Sequence, residues 1–169
     1  DADKSEFLQG KEPGQPNVYI QMGETAVNVA NKYGVTREAM DEYAQRSQEL
    51  AVQSQESGFF DREIVPVTLA DGTVVSKDDG PRASSTLEKL ASLPEAFGGG
   101  GVTAGNSCPL NDGAAAALIM SDEKAKALGL TPRARIITAA TSGNEPEYMG
   151  VAPIGAIKKA LDRAGMTIA

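Results

Sequence analysis

The sequence contains no histidine, no tryptophan and one cysteine, and only 5% of its 169 residues are aromatic. Without histidine, neither a Ser-His-Asp nor a Cys-His arrangement is possible within the chain, and the commonest metal ligand is missing as well. A single cysteine forms no internal disulfide, which fits a reducing compartment. These absences exclude histidine-dependent catalysis by these residues and predict no metal site.

The charge balance excludes a further class of partner. The formal net charge is −7, whereas sequence-independent nucleic-acid binding requires clustered lysine and arginine. We therefore expect no nucleic-acid partner. Neither a signal peptide nor a spanning apolar stretch is visible, which predicts a soluble, cytoplasmic protein without a membrane partner. With 41% hydrophobic residues, the chain is long enough for about one ordinary domain.

The first third of the chain is predicted to be a loop over residues 1–16 followed by two helices. One helix spans residues 23–33 and ends at Gly34, because glycine readily adopts the left-handed conformation that ends helices. The other is capped by Thr36 and stops before Gly58. The spacing predicts these inward-facing residues: Ala26, Val29, Ala30 and Tyr33 on the first helix, and Met40, Tyr43, Ala44, Ser47, Leu50, Ala51 and Ser54 on the second.

A hairpin and a short helix are predicted next. β-branched residues on both sides of an Asp-Gly turn favour a hairpin over residues 63–76. Thr86 begins a helix that Pro94 ends, with Leu87, Leu90 and Ala91 facing inward. The four glycines of residues 98–101 are typical of a flexible loop.

The segment 102–121, VTAGNSCPLNDGAAAALIMS, combines a glycine-containing turn, the only cysteine and an Asn-Asp-Gly corner. Because Ser121 is a good N-cap for a helix that continues to Leu128, the apolar run 113–120 is predicted to be a buried strand. Residues 104–109 then lie at the entrance to that strand, where α/β proteins often place ligand-facing loops. A purely structural turn is an equal alternative.

The remaining residues are predicted to form one strand and one helix. The strand covers residues 134–140, and the helix begins at Pro153 and closes at Gly165. Its inward face is predicted to carry Ile154, Ile157, Ala160 and Leu161. Alternating strands and helices are typical of an α/β fold.

The segment 102–121 resembles the VTAGN and LNDGAAA signature of the thiolases, the acetyl-CoA acyltransferases. Four more segments resemble that family in the same order: QMGETAVNVA (21–30), SQESGFFDREIVPV (54–67), TLEKLASLPEAF (86–97) and PIGAIKKALDRAG (153–165). The resemblance implies an internal fragment of a thiolase-like α/β fold. Residues 1–101 would be a mainly helical, CoA-binding loop domain with a small hairpin, residues 102–130 the end of the N-terminal half, and residues 131–169 the start of the C-terminal half.

The same resemblance implies acyl transfer between a 3-ketoacyl-CoA and CoA by a homodimer or homotetramer, with acyl-CoA and CoA as substrates and no permanently bound cofactor. The NSCPLNDG variant resembles degradative thiolases, including those that act on sterol side chains. The family's nucleophile motif and its NEAF, GHP and CxGG motifs are absent, so no catalytic residue is expected in this segment. One alternative is a non-catalytic thiolase-like protein that binds acyl-CoA or lipid, and another is an assembly module without a ligand.

Arg82 is the first candidate binding residue. A guanidinium on a polar loop suits phosphate or an adenine ring, although most surface arginines are merely solvated. The resemblance implies that Arg82 contacts CoA and that Lys89 and Leu93 flank its nucleotide and pantetheine parts.

The resemblance also places Gln21 and Met22 beside the pantetheine, although simple helix packing is an equal alternative for Met22. It further implies close backbone approach to the pantetheine at Ala104 and Gly105. Cys108 has no histidine base to activate it, which argues against a nucleophilic role. The resemblance implies that it lines the thioester pocket instead. Inert packing and a reactive thiol are the other two possibilities for this side chain.

Overall fold

The structure is a computed structural model that describes residues 4–168. Its helices are α1 (Met22–Tyr33), α2 (Arg37–Glu56), α3 (Leu87–Ala91), α4 (Asp122–Ala127) and α5 (Ala152–Ala164). Strands β1 (Val67–Thr68) and β2 (Val74–Val75) form an antiparallel hairpin, and 3-10 helices cover Glu6–Leu8, Phe60–Arg62 and Pro146–Val151. Residues 1–3 of the predicted N-terminal loop and Ala169 of the last predicted segment lie outside the described residues.

Local chemistry explains where the helices begin. The hydroxyl oxygens of Thr36, Thr86 and Ser121 each accept a hydrogen bond from the backbone N–H three residues later, which satisfies a donor that the helix cannot pair internally. Gly34 and Gly165 follow α1 and α5 in the left-handed conformation, with φ of 66° and 64°. These predicted helix ends are confirmed.

The N-terminal segment and the hairpin differ from prediction in extent. Residues 6–8 form a 3-10 turn and Gln9 bridges to Asn17, where we predicted only loop. The hairpin pairs two residues on each side, fewer than predicted, and the turn at Asp71 and Gly72 is retained.

Residues 113–120 and 134–140, predicted as strands, have no regular structure. A strand exists through hydrogen bonds to a neighbouring strand, and within residues 4–168 the sheet is limited to β1 and β2. Leu118 and Ile136 are accordingly 80% and 71% exposed. Both strand predictions are therefore wrong for this chain, because the apolar runs find no sheet to join.

The predicted inward faces are also partly wrong. On α2, Tyr43 and Leu50 are exposed, whereas the charged Asp41 is buried. The face of α2 that packs on α3 is thus largely polar, and apolar spacing does not reveal it. Other residues predicted to face inward are also exposed: Ala26, Tyr33, Ser47, Leu87, Ala91, Ile154 and Ile157.

Helix α1 packs against the 3-10 helix Pro146–Val151, which also contacts α5. Asn28 of α1 donates to the carbonyl of Glu147 at 3.3 Å, and the Nζ of Lys32 lies 3.8 Å from the ring centroid of Tyr148. The N–H of Asn17 donates to the carboxylate of Glu147 at 2.9 Å. These contacts join the C-terminal part of the chain to α1.

Candidate functional site

An ion pair on α2 organises the region around the 102–121 segment. The Nε of Arg37 donates to Oδ2 of Asp41 at 2.8 Å, one helical turn apart. Asp41 is only 3% exposed. A buried carboxylate is tolerated when its oxygens are paired, and here both of them are.

The second partner of Asp41 is the turn formed by residues 103–106. Nδ2 of Asn106 donates to Oδ1 of Asp41 at 3.0 Å and to the carbonyl of Gly101 at 2.9 Å. The Oδ1 atom of Asn106 accepts from the N–H of Thr103 at 2.8 Å. The fully buried hydroxyl of Thr103 accepts from the N–H groups of Gly105 and Asn106. Every polar side-chain atom of Thr103 and Asn106 that shapes the turn therefore has a hydrogen-bond partner.

Arg37 also fixes the end of α3. Its Nη2 donates to the carbonyls of Leu90 and Leu93 at 2.6 and 3.1 Å, just where the short helix ends. The carbonyl of Leu90 also accepts the backbone N–H of Leu93. The side chains of the same two leucines cover Gly105: a Cβ on that residue would lie 2.5 Å from Cδ1 of Leu93 and 2.6 Å from Cδ2 of Leu90. Glycine is required for this approach.

The four-glycine run packs between α1 and α2, where we predicted a flexible loop. All four glycines have positive φ, and the loop is closed by a 2.7 Å hydrogen bond from the N–H of Ala96 to the carbonyl of Val102. A Cβ on Gly100 would lie 2.7 Å from Val27, and one on Gly101 would lie 3.2 Å from the Cα of Arg37. The glycines thus allow the chain to approach both helices.

Arg82 lines a groove of about 230 Å³ on α2. The lining residues are mostly polar: Gln45, Gln48, Glu49, Val52, Gln53, Arg82, Ala83, Ser85 and Thr86. The backbone N–H of Arg82 donates to Oε1 of Gln48 at 2.7 Å, and Gln55 donates to the carbonyl of Asp78. Within residues 4–168, the guanidinium itself has no hydrogen bond or ion pair, which leaves it available to an anion.

The other predicted binding residues are placed as follows. Leu93 and Gly105 are in contact. Met22 is the first residue of α1 and is exposed, as are Gln21, Ala104 and the free thiol of Cys108. Lys89 is exposed on α3. The groove at Arg82 is lined by neither Leu93 nor any of residues 104–108.

Sequence reasoning assigned no role to Arg37 or Asp41, and it gave Asn106 none beyond its place in the signature. An Arg and an Asp four residues apart near a helix start are the one local signal, and that pattern is common on solvated helix surfaces. Within the described part of the chain, no cluster of three metal-ligating side chains occurs, and no helix has the length and apolarity to cross a membrane.

Comparison with known proteins defines the class. The sequence model of the thiolase N-terminal domain matches residues 15–123, more than half of the chain. The chain therefore belongs to the thiolase family, as its sequence predicted.

Three relatives illustrate the match. An acetyl-CoA acetyltransferase of Syntrophomonas wolfei is 48% identical over 150 residues, covering 87% of this chain and 38% of the relative. The crystal structure of the Bacillus anthracis acetyl-CoA acetyltransferase is 48% identical with a TM-score of 0.85, covering 88% of this chain and 39% of that one. The dimeric peroxisomal thiolase of Saccharomyces cerevisiae is 38% identical with a TM-score of 0.90, covering 98% and 42%.

These solved structures confirm the thiolase-like α/β fold class, of which this chain contains helices and a small hairpin. The chain spans about two fifths of the length of the relatives it matches. The division at residues 101 and 130 stays a prediction.

Proposed function

We propose that this chain is the coenzyme A-binding part of a thiolase that transfers an acyl group between a 3-ketoacyl-CoA and CoA. Membership in the family and the names of its relatives, acetyl-CoA acetyltransferase and acyltransferase, support the reaction class. CoA and acyl-CoA are then substrates, and no permanently bound cofactor is needed. Catalytic side chains lie outside these residues in this proposal.

The contact between Leu93 and Gly105 carries the proposal. Two positions that lie 12 residues apart, and that the same resemblance assigns to the pantetheine, are in contact. An apolar side chain beside a residue without a side chain suits a narrow chain with alternating methylene and amide groups, because backbone and ligand approach closely. Met22, Ala104 and Cys108 are exposed positions that we assign to the same ligand.

Arg82 supplies the electrostatic part. Its unpaired guanidinium on a polar groove suits the phosphates of the nucleotide end of CoA, for which charge-assisted hydrogen bonds are the strongest contacts available. Lys89, exposed on the adjacent α3, adds positive charge towards the same end.

We further propose that the assembled enzyme is a homodimer or homotetramer. The single cysteine supports the predicted cytoplasmic location.

A titration of the 169-residue chain with CoA, followed by calorimetry and by thermal shift, tests this function. We expect saturable binding that Arg82→Ala weakens about tenfold through loss of charge-assisted contacts. Arg133→Ala is the matched control, because Arg133 is exposed and lies outside the groove. Absence of CoA binding, or equal weakening by both substitutions, would contradict the proposal.

A further inference from the structure

The ion pair of α2 holds both partners of the contact that carries the proposed function. Arg37 binds the carbonyls of Leu90 and Leu93, and Asp41 binds the side chain of Asn106. Leu93 and Gly105 have no backbone hydrogen bond to each other. An antiparallel bridge between Glu95 and Thr103 and the Ala96–Val102 hydrogen bond join the two segments directly. The ion pair joins them a second time, through α2, because Arg37 and Asp41 are hydrogen-bonded to each other at 2.8 Å.

The arrangement leaves Asn106 one orientation. Both hydrogens of its Nδ2 are donated, to Asp41 and to Gly101, and its Oδ1 accepts from Thr103. If the carboxamide were reversed, its NH₂ group would point at the N–H of Thr103, which is also a donor. Its oxygen would then point at Asp41 and Gly101, which both offer only acceptors. The carboxylate of Asp41 thus selects the geometry of the turn that carries Gly105.

The contribution of the Arg37–Asp41 ion pair to the stability of the fold does not by itself explain its presence. A buried ion pair is often no more stabilising than apolar residues of the same volume, because desolvation offsets the attraction. Its specific effect is geometric, since charged partners with fixed hydrogen-bond directions define one arrangement of the elements they join.

We propose that Arg37 and Asp41 are positioning residues that set the face formed by Leu93 and Gly105 for the pantetheine part of CoA. This inference rests on the proposed function. The pair contacts no ligand itself: it acts through α3 on one side and through Asn106 on the other. Arg82, which we assign to the nucleotide end, is held by a different contact, the hydrogen bond from its backbone N–H to Gln48.

Asp41→Asn tests the inference because it keeps the volume of the side chain and removes the charge that holds Arg37 and Asn106. Two probes are titrated: CoA, and adenosine 3′,5′-bisphosphate, which lacks pantetheine. We expect Asp41→Asn to weaken CoA binding about tenfold, as preorganisation is lost, and to leave bisphosphate binding unchanged. A loss of folded protein would weaken both probes equally, so the difference between them separates positioning from general destabilisation.

Two controls and a second variant complete the experiment. Glu42→Gln makes the same chemical change at the next, exposed position of α2 and is expected to bind both probes normally. Ser121→Ala removes the cap of α4 and lowers stability without touching the network. If Asp41→Asn does not fold, Arg37→Lys replaces it, because one ammonium cannot reach Asp41 and both leucine carbonyls together.

The outcomes distinguish the two proposals. If the unmodified chain binds CoA and the folded variants bind it equally well, the positioning role is overturned while the proposed function stands. The same conclusion follows if the variants lose affinity for CoA and for the bisphosphate equally. If the unmodified chain binds no CoA, the proposed function fails and the positioning role fails with it. Selective loss of CoA binding supports both.

Discussion

Leu93 closes over Gly105 so tightly that a β-carbon on residue 105 would stand 2.5 Å from its Cδ1 atom. Gly105→Ala is therefore expected to destabilise the chain by about 1–3 kcal/mol through overpacking. Leu93→Ala removes one of the two clashing methyl groups, the other being Cδ2 of Leu90 at 2.6 Å, so the double variant should lose less than the sum of the single losses. Urea unfolding of the four proteins measures this coupling, and strictly additive losses would mean that the two residues do not touch.

Gly98 and Gly100 provide a matched pair for testing the packing of the glycine run. Their φ angles are 78° and 71°, so alanine costs each about the same backbone strain, roughly 1 kcal/mol. Only Gly100 faces a neighbour, Val27, whereas nothing lies within 4 Å of a Cβ on Gly98. Gly100→Ala should therefore lower the free energy of unfolding by about 1–3 kcal/mol more than Gly98→Ala. Equal effects in urea titrations would show that the run is not packed against α1.

Acid unfolding tests the contact between Asn17 and Glu147. The hydrogen bond from the Asn17 N–H lowers the pKa of Glu147 below its ordinary 4.5. A carboxyl whose pKa is lowered by folding contributes stability that is complete above the unfolded pKa and disappears as pH falls through the folded pKa. Glu147→Gln should accordingly be less stable than wild type at pH 7, with a difference that shrinks below about pH 4.5.

The measurement is the urea midpoint of wild type and of Glu147→Gln at several pH values from 7 to 3. The control is Glu63→Gln, because Glu63 is exposed and its carboxylate forms no hydrogen bond or ion pair within residues 4–168. If the gap between Glu147→Gln and wild type stays constant with pH, the carboxylate does not accept the bond from Asn17.

Cys108→Ser tests the role of the exposed thiol. The chain offers Cys108 no histidine base, and we assign it to a pocket wall. In the complete enzyme, turnover should stay within a few-fold of wild type, since serine is nearly isosteric with cysteine. Steady-state kinetics of both proteins test this, and complete loss of activity would overturn the assignment of Cys108 to a pocket wall.

Features set by a few neighbouring residues were predictable from the sequence. Thr36, Thr86 and Ser121 each cap a helix through a bond to the residue three positions on, and Gly34 and Gly165 end helices through their own backbone conformation. The VTAGN signature likewise identified the family, because it depends on residue identity alone.

Features that depend on distant partners were not predictable. Asp41 and Asn106 are 65 residues apart, and apolar spacing predicted that α2 would turn Tyr43 and Leu50 inward. A satisfied ion pair lets a polar face be buried in their place. The run 113–120 has strand-like composition, yet a strand also needs a neighbour, and composition carries no information about one.

The positive φ angles of residues 98–101 also limit which codon substitutions the gene can tolerate. Every codon for glycine begins with two guanines, and each amino-acid replacement reachable by one base change brings a β-carbon. That atom would lie 2.7 Å from Val27 at Gly100 and 3.2 Å from the Cα of Arg37 at Gly101, whereas at Gly98 it meets nothing and adds only backbone strain. Substitutions are therefore expected to be tolerated at Gly98 and to be selected against at Gly100 and Gly101, where the loop passes between α1 and α2.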